Sequence, residues 1–214
     1  MTERELRYVL KFRTPVAVFT GLGIAGLLDR TVVRDSNKKP YIPGSTVKGR
    51  LRFFAERVLR SKPDENTQNF AVHEDGKPHC KTLDSACTLC RLFGSPALAS
   101  LISVSQAWPS QEWAERFADA VRENANPVLH PDADIRPGIA ISRQRRTALT
   151  DHLFQDETLP IIEFQGQLYL DARISQQEEN FLVVIGQLVD SIGSRKAIGR
   201  GRLTQGILIE KTPS

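Results

Sequence analysis

No stretch of this 214-residue chain approaches the roughly 18 consecutive apolar residues that a membrane-crossing helix needs. The N-terminus, Met1-Thr2-Glu3-Arg4-Glu5, carries charge where a secretory leader would carry an apolar core. Neither a membrane helix nor a signal peptide is expected, and the reading places the protein in the cytoplasm with no membrane partner. Cysteine is scarce: there are 3, all between Cys80 and Cys90. An odd number in a reducing compartment argues against a disulfide framework and leaves a metal site or free thiols. No internal repeat is evident beyond a weak two-fold character, and no segment is biased enough to be read as disordered. A nucleoside-triphosphate site is not expected either. The glycine-rich run from Gly193 to Arg202 is too irregular for a dinucleotide fingerprint and lacks the Gly-Lys-Ser/Thr ending of a P-loop.

What the chain does hold is enough apolar material for a core, 40% of its residues, in one domain with insertions or two small ones. Its net charge of +4 is modest, but twelve of the 29 Lys and Arg fall in three runs: Lys48 to Arg60, Arg143 to Arg146, and Arg195 to Arg202. Such clustering points to a local anionic partner.

The most informative run is Tyr41-Ile42-Pro43-Gly44-Ser45-Thr46-Val47-Lys48-Gly49-Arg50-Leu51-Arg52, where a Pro-Gly turn leads into a helix. Ser45 or Thr46 is expected as N-cap, because a hydroxyl accepts from the first free helical N–H groups. Val47, Leu51, Phe54, Val58 and Leu59 mark the buried face, and Lys48, Arg50, Arg52, Arg57 and Arg60 are expected to point outward. A helix start with free N–H donors, the positive end of the dipole and fixed cations attracts phosphate.

Taken in order, Arg7 to Thr20 alternates as a strand with a bulge at Pro15, and Gly21 to Gly26 forms a flexible loop leading to Asp29 and Asp35. After the basic helix, residues 61–99 read as a polar insertion. Leu101 to Trp108 is the second strand. Gln111 to Glu123 is a short helix with Trp113, Phe117, Ala120 and Val121 on one side, and Asn124 to Pro137 is a loop. Ile139 to Thr150 is a basic excursion, with Arg143, Arg145 and Arg146 in one run. Glu163 to Leu170 is a strand, Phe181 to Ile192 an amphipathic helix, and Leu203 to Ile209 the last strand. Without the insertions this order is βαββαβ, an α+β, ferredoxin-like (RRM-like) arrangement with two helices on one face of a four-stranded antiparallel sheet.

The C-terminal loop places Arg195, Lys196, Arg200 and Arg202 among glycines that permit close backbone approach, which suits a nucleic-acid strand. The cysteines form Cys80-x6-Cys87-x2-Cys90, and the Cys-x-x-Cys half is the spacing by which two thiolates reach one tetrahedral zinc. His73 or His79 would complete the set, His73 being preferred because adjacent side chains diverge in extended chain. The zinc would be structural, folding an insertion that has too few apolar residues for its own core. His130 and His152 have no titratable partner legible from spacing.

Three of these stretches together resemble the RAMP superfamily of CRISPR-associated RNA-binding proteins, and specifically the backbone subunits of type III effector complexes. They are Ile42 to Arg52, with its Ile-Pro-Gly-Ser-x-x-Lys-Gly-x-x-Arg pattern; Gly138 to Arg143 running into Thr147-Ala148 and Leu153-Phe154; and the C-terminal glycine-rich loop. The resemblance implies one ferredoxin-like domain over residues 1–214, with a thumb-like hairpin within about residues 109–160, sought at 138–160. The partners it implies are guide RNA (crRNA), target RNA, neighbouring copies or paralogues of the chain, and other effector subunits. Guide phosphates would be held by Ser45, Thr46, Lys48, Arg50, Arg52, Arg143, Arg145, Arg146, Arg195, Lys196, Arg200 and Arg202. A loop aspartate shortly before the Ile-Pro-Gly-Ser run cuts the target in the subunits this chain resembles, and Asp29 matches that position better than Asp35. The chemistry implied is attack of the RNA 2′-hydroxyl on the adjacent phosphate, aided by weakly held Mg2+ or Mn2+. Two alternatives stay open: a scaffold subunit that does not cut, and a guide-processing endoribonuclease.

Overall fold

The structure is a computed structural model that describes residues 4–61, 70–74, 76–123 and 133–211. Strand β1 (Arg4–Phe12) runs in the middle of a sheet. Helix α1 (Gly44–Arg60) follows, then a short helix α2 (Thr88–Phe93), two strand pieces β2 (Ile102–Val104) and β3 (Trp108–Pro109), and helix α3 (Gln111–Glu123). A hairpin of β4 (Asp134–Ser142) and β5 (Thr147–Thr158) comes next, and β6 (Glu163–Leu170), α4 (Gln176–Leu188) and β7 (Leu203–Lys211) complete the chain. The sheet order is β2-β6-β1-β7 with β3 also on β6, and the paired strands are antiparallel. Mixed helices and antiparallel strands in this order are compatible with the ferredoxin-like arrangement expected from the sequence.

Period-two alternation decides which face is covered. Tyr8 and Leu10 of β1, Phe164 and Leu168 of β6, and Ile207 of β7 form the core with Val47 and Leu51 of α1 and Leu182 and Ile185 of α4. Each of these side chains is at most 1% exposed, and each such burial stabilises the fold by roughly 1.5–3 kcal/mol. Register sets Leu6 beside Leu168, Tyr8 beside Gly166 and Leu10 beside Phe164. The intervening residues, Arg7, Gln165 and Gln167 among them, lie on the opposite face.

Several sequence expectations need correction. Strand β1 ends at Phe12; beyond it, Val16 and Phe19 make isolated bridges to Leu159 and Val32. The second strand is broken in two, because Ala107 leaves β6 to exchange two 2.9 Å hydrogen bonds with Ile42. The helix N-cap is Pro43, with no side-chain cap, so Ser45 and Thr46 lie inside the first turn of α1. The cause is Gly44: a Cβ there would come within 2.0 Å of the Val104 carbonyl oxygen, so only glycine lets the helix begin against β2. Of the expected loop 124–137, residues 124–132 lie outside those described, and Asp134 to Pro137 start β4. Within α3 the side chain of Trp113 is partly buried against the core, while those of Phe117, Ala120 and Val121 lie outside the described set. The described part of the insertion does not rely on a core of its own: Leu89 and Leu92 are buried in the main core, and Phe70 stacks 4.8 Å from Phe181 of α4.

Candidate nucleic-acid interface

The base of the β4–β5 hairpin is the hub. Its outer part is solvent-exposed, with Ile139 at 52% and Leu153 at 65%, whereas Asp156, Glu157 and Thr158 are buried. Three consecutive residues of β5 bind two distant segments, residues 29–34 and the glycine-rich loop. Gln155 accepts from the Asp29 backbone N–H at 2.9 Å and donates its own N–H to Asp29 Oδ2 at 2.6 Å. Asp156 Oδ2 accepts from Arg195 Nε at 2.9 Å and Arg200 Nη1 at 3.3 Å. Glu157 pairs with Arg34 at 2.8 Å and accepts from the Val32 N–H at 2.8 Å. The Asp29 loop and the C-terminal glycine-rich loop are thereby fixed to adjacent residues of one strand.

Asp29 is exposed on a loop that depends on Gly23, where a Cβ would lie 2.4 Å from the Leu28 carbonyl oxygen. Only Oδ2 of its carboxylate is engaged among the described residues. Asp35 does a different job: its Oδ1 accepts from the N–H groups of Asn37 at 2.9 Å and Lys39 at 2.8 Å, which makes it a turn former.

The glycine-rich loop is held by sterics and charge. A Cβ at Gly201 would fall 1.9 Å from the Ile192 carbonyl oxygen, and Arg195 adopts a left-handed φ of 58°. Its guanidinium lies 4.2 Å from the centre of the Phe154 ring, which fills the space left by the missing side chain of Gly138. Burial lowers the Arg200 pKa; Asp156 opposes that shift, while Arg195 and Arg136 add to it. Arg195 and Arg200 thus share one buried carboxylate, which leaves one positive charge in excess to attract an anion, while nearby Arg136 pairs with Asp134 at 3.1 Å.

The α1 cations divide into two sets. Arg50 bonds the Ser191 carbonyl at 2.9 Å and Asp190 at 3.0 Å and lies over the Phe53 and Phe54 rings. Lys196, whose pKa is lowered by burial and then by Arg50, donates to the Gly193 carbonyl at 2.7 Å. Arg50 thus joins the helix to the segment entering the glycine-rich loop, and Lys196 braces that loop from within. Lys48 and Arg52, expected to point outward, instead brace the segment before and into β2: Lys48 donates to Ser100 Oγ at 2.7 Å and the Ile102 carbonyl at 3.1 Å, and Arg52 donates to the Gly94 carbonyl at 2.9 Å. Burial, reinforced by Arg52, lowers the Lys48 pKa. Ser45 is exposed and Thr46 half-buried. Arg57 is exposed over the Phe53 ring, and Arg60 is also exposed but pairs with Glu56 at 2.9 Å. Arg202 is exposed beside Thr14, and Arg143, Arg145 and Arg146 are exposed in the hairpin turn, at the far end from Asp156.

Sequence reasoning missed Asp156 and Glu157. Their arginine partners are 39 to 123 residues away, and no spacing rule connects them. His152 is exposed and contacts the Thr150 carbonyl at 2.7 Å; His130 lies outside the described residues.

On the opposite side of α1, His73, Cys80, Cys87 and Cys90 bring one ligand atom each within 4.8 Å of all the others. Cys87 caps α2 by accepting from the Cys90 N–H, which puts both thiols of the Cys-x-x-Cys pair on one side. The Cys87 backbone and then His73 hold the Cys80 thiol down to about 7, whereas burial pushes Cys90 up to about 12. His79 stacks 5.6 Å from His73 without joining the cluster. One imidazole and three thiols match the donor set of tetrahedral zinc. Asp29, by contrast, belongs to no group of three or more metal-ligating side chains among the described residues, so the expected Mg2+ or Mn2+ finds no protein cage there.

The family model described as the RAMP superfamily matches residues 9–204, most of the chain. The chain belongs to the RAMP superfamily, which gives it a CRISPR-associated, RNA-binding role. No curated protein matches it. Among the described residues, no helix is long and apolar enough to cross a membrane.

Proposed function

We propose that the protein is a backbone subunit of a type III CRISPR effector complex, a single RAMP domain that binds guide RNA and cuts the paired target RNA at Asp29. The β4–β5 hairpin serves as its thumb, and neighbouring copies and other effector subunits complete the groove. The observation that carries this reading is the pair of consecutive β5 residues that hold the Asp29 loop and the arginines of the glycine-rich loop side by side. A phosphate backbone attracted to Arg195, Arg200, Arg50 and Lys196 passes close to an exposed carboxylate.

In that position the RNA supplies its own nucleophile. The 2′-oxygen bonds to the adjacent phosphorus, the bond to the 5′-oxygen breaks, the 2′ proton goes to Asp29, and the leaving oxygen takes a proton from water. A cyclic phosphate and a 5′-hydroxyl result. The Gln155 N–H fixes one carboxylate oxygen and leaves Oδ1 for the proton. In the insertion, His73, Cys80, Cys87 and Cys90 would hold structural zinc, pinning residues 73–90 against α1 and α4. The scaffold reading retains one observation in its favour, the solitary carboxylate. A cleavage assay with the assembled, guide-loaded complex tests the proposal: target cuts at regular spacing that vanish in Asp29→Ala support it, and an intact target with the natural chain refutes it.

A further inference from the structure

We propose a second nucleic-acid site on the face of the sheet turned away from α1 and α4: a pocket for one unpaired nucleobase of single-stranded RNA. It rests on the RNA-binding reading above but lies apart from the basic surface of α1 and the hairpin. The break between β2 and β3 creates it. Where Ser105 to Ala107 leave the edge of β6, Gln167 N–H is satisfied by Ser105 Oγ at 2.7 Å, and a cavity of about 570 Å3 opens, lined by Arg7, Ser105, Gln106, Trp108, Gln165 and Gln167. That volume lies within the range of small-molecule clefts, roughly 300–1,000 Å3.

The lining chemistry fits a base. The Gln106 and Gln167 amides offer donors and acceptors of the kind that read base edges, an indole supplies a flat apolar wall with Lys39 5.6 Å from its ring centre, and Arg7 provides a cation held in place by its 2.6 Å bond to Gln165 Oε1, whose amide nitrogen in turn donates to Glu163 at 3.1 Å. Among the described residues no carboxylate lines the cavity. The most directive feature is Gln167 Oε1, which is buried and has no hydrogen-bond partner among the described residues. A buried acceptor without a donor is costly, and once the Gln167 side chain turns it into the cavity an exocyclic amine of adenine, cytosine or guanine would satisfy it; uracil has no such group. The pocket therefore favours amine-bearing bases.

The test uses the full chain with ten-nucleotide oligoadenylate and oligouridylate, by ultraviolet cross-linking with peptide mapping and by titration. The expected results are adenylate cross-links on the peptides holding Trp108 and Gln165 to Gln167, and about a tenfold weaker adenylate affinity in Gln167→Leu with uridylate affinity unchanged. Arg7→Gln, should Gln167→Leu misfold, is expected to weaken both oligonucleotides. Cross-links confined to the peptides of Arg50, Arg143 to Arg146 and Arg195 to Arg202, with Gln167→Leu unchanged, would overturn this site and leave the RNA-binding reading standing. Failure of both oligonucleotides to bind would overturn both. Cross-linking of these peptides only to a neighbouring protein in the assembled complex would make the face a protein contact and overturn the site alone.

Discussion

Replacing Asp156 by alanine tests whether the hairpin base is the hub of the molecule. Its side chain is 0% exposed, and its arginine partners are 25% and 13% exposed, so their charges are only partly hydrated. Alanine would leave two guanidiniums facing each other without a counter-charge. Breaking a buried ion pair from one side costs about 3–5 kcal/mol, and the lower end applies because Arg195 can turn toward water. With a urea slope of about 2 kcal/mol/M, a loss of about 3 kcal/mol moves the unfolding midpoint down by about 1.5 M. Asp156→Asn keeps the volume and one acceptor but not the charge, and is expected to cost about 2 kcal/mol. Adding Arg200→Met to Asp156→Ala should recover part of the loss, because it removes the more buried of the stranded cations. The assay is urea unfolding followed by circular dichroism. A cost below about 0.5 kcal/mol for Asp156→Ala, the level of an ordinary surface change, would refute the argument.

Other perturbations separate the roles of the remaining parts. Arg143, Arg145 and Arg146 changed together to alanine should lower the salt dependence of RNA binding by about two logarithmic units per unit of log salt, at about 0.7 for each single-strand phosphate contact, with the unfolding midpoint unmoved; an unchanged slope would free the hairpin tip of phosphate contacts. Gly201→Ala puts a Cβ against the Ile192 carbonyl at a φ of 66°, and should destabilise by at least about 2 kcal/mol in thermal melts. Chain purified without chelator should carry one zinc, and Cys90→Ser or zinc removal should lower the melting temperature and abolish protection of residues 73–90 from proteolysis; zinc near zero in elemental analysis would remove the assignment. Asp35→Ala should cost about 1 kcal/mol by loosening its turn while leaving target cleavage intact.

The parts of the fold that were legible in the sequence are those set by local pattern. The alternation of Tyr8, Leu10 and Phe12, the helical spacing of Val47 and Leu51, and the Cys-x-x-Cys pair each report their own surroundings. Lys48 and Arg52 were misread because a cation on a helix looks outward in sequence, whereas here carbonyls of a neighbouring segment receive it. Pro137 and Gly138 disguised the start of β4, since both residue types are unfavourable in a central strand, yet a two-stranded hairpin with a ring laid over the glycine accommodates them. The Asp156 cluster joins residues far apart in the chain, and nothing local announces it.

The most direct measurement of the central claim is cleavage of complementary target RNA by the assembled complex carrying Asp29→Ala, run beside the natural chain with target affinity measured on both. The account predicts regular cuts ending in cyclic phosphate for the natural chain, and equal affinity with no cuts for the variant. Regular cutting that persists in Asp29→Ala would contradict it.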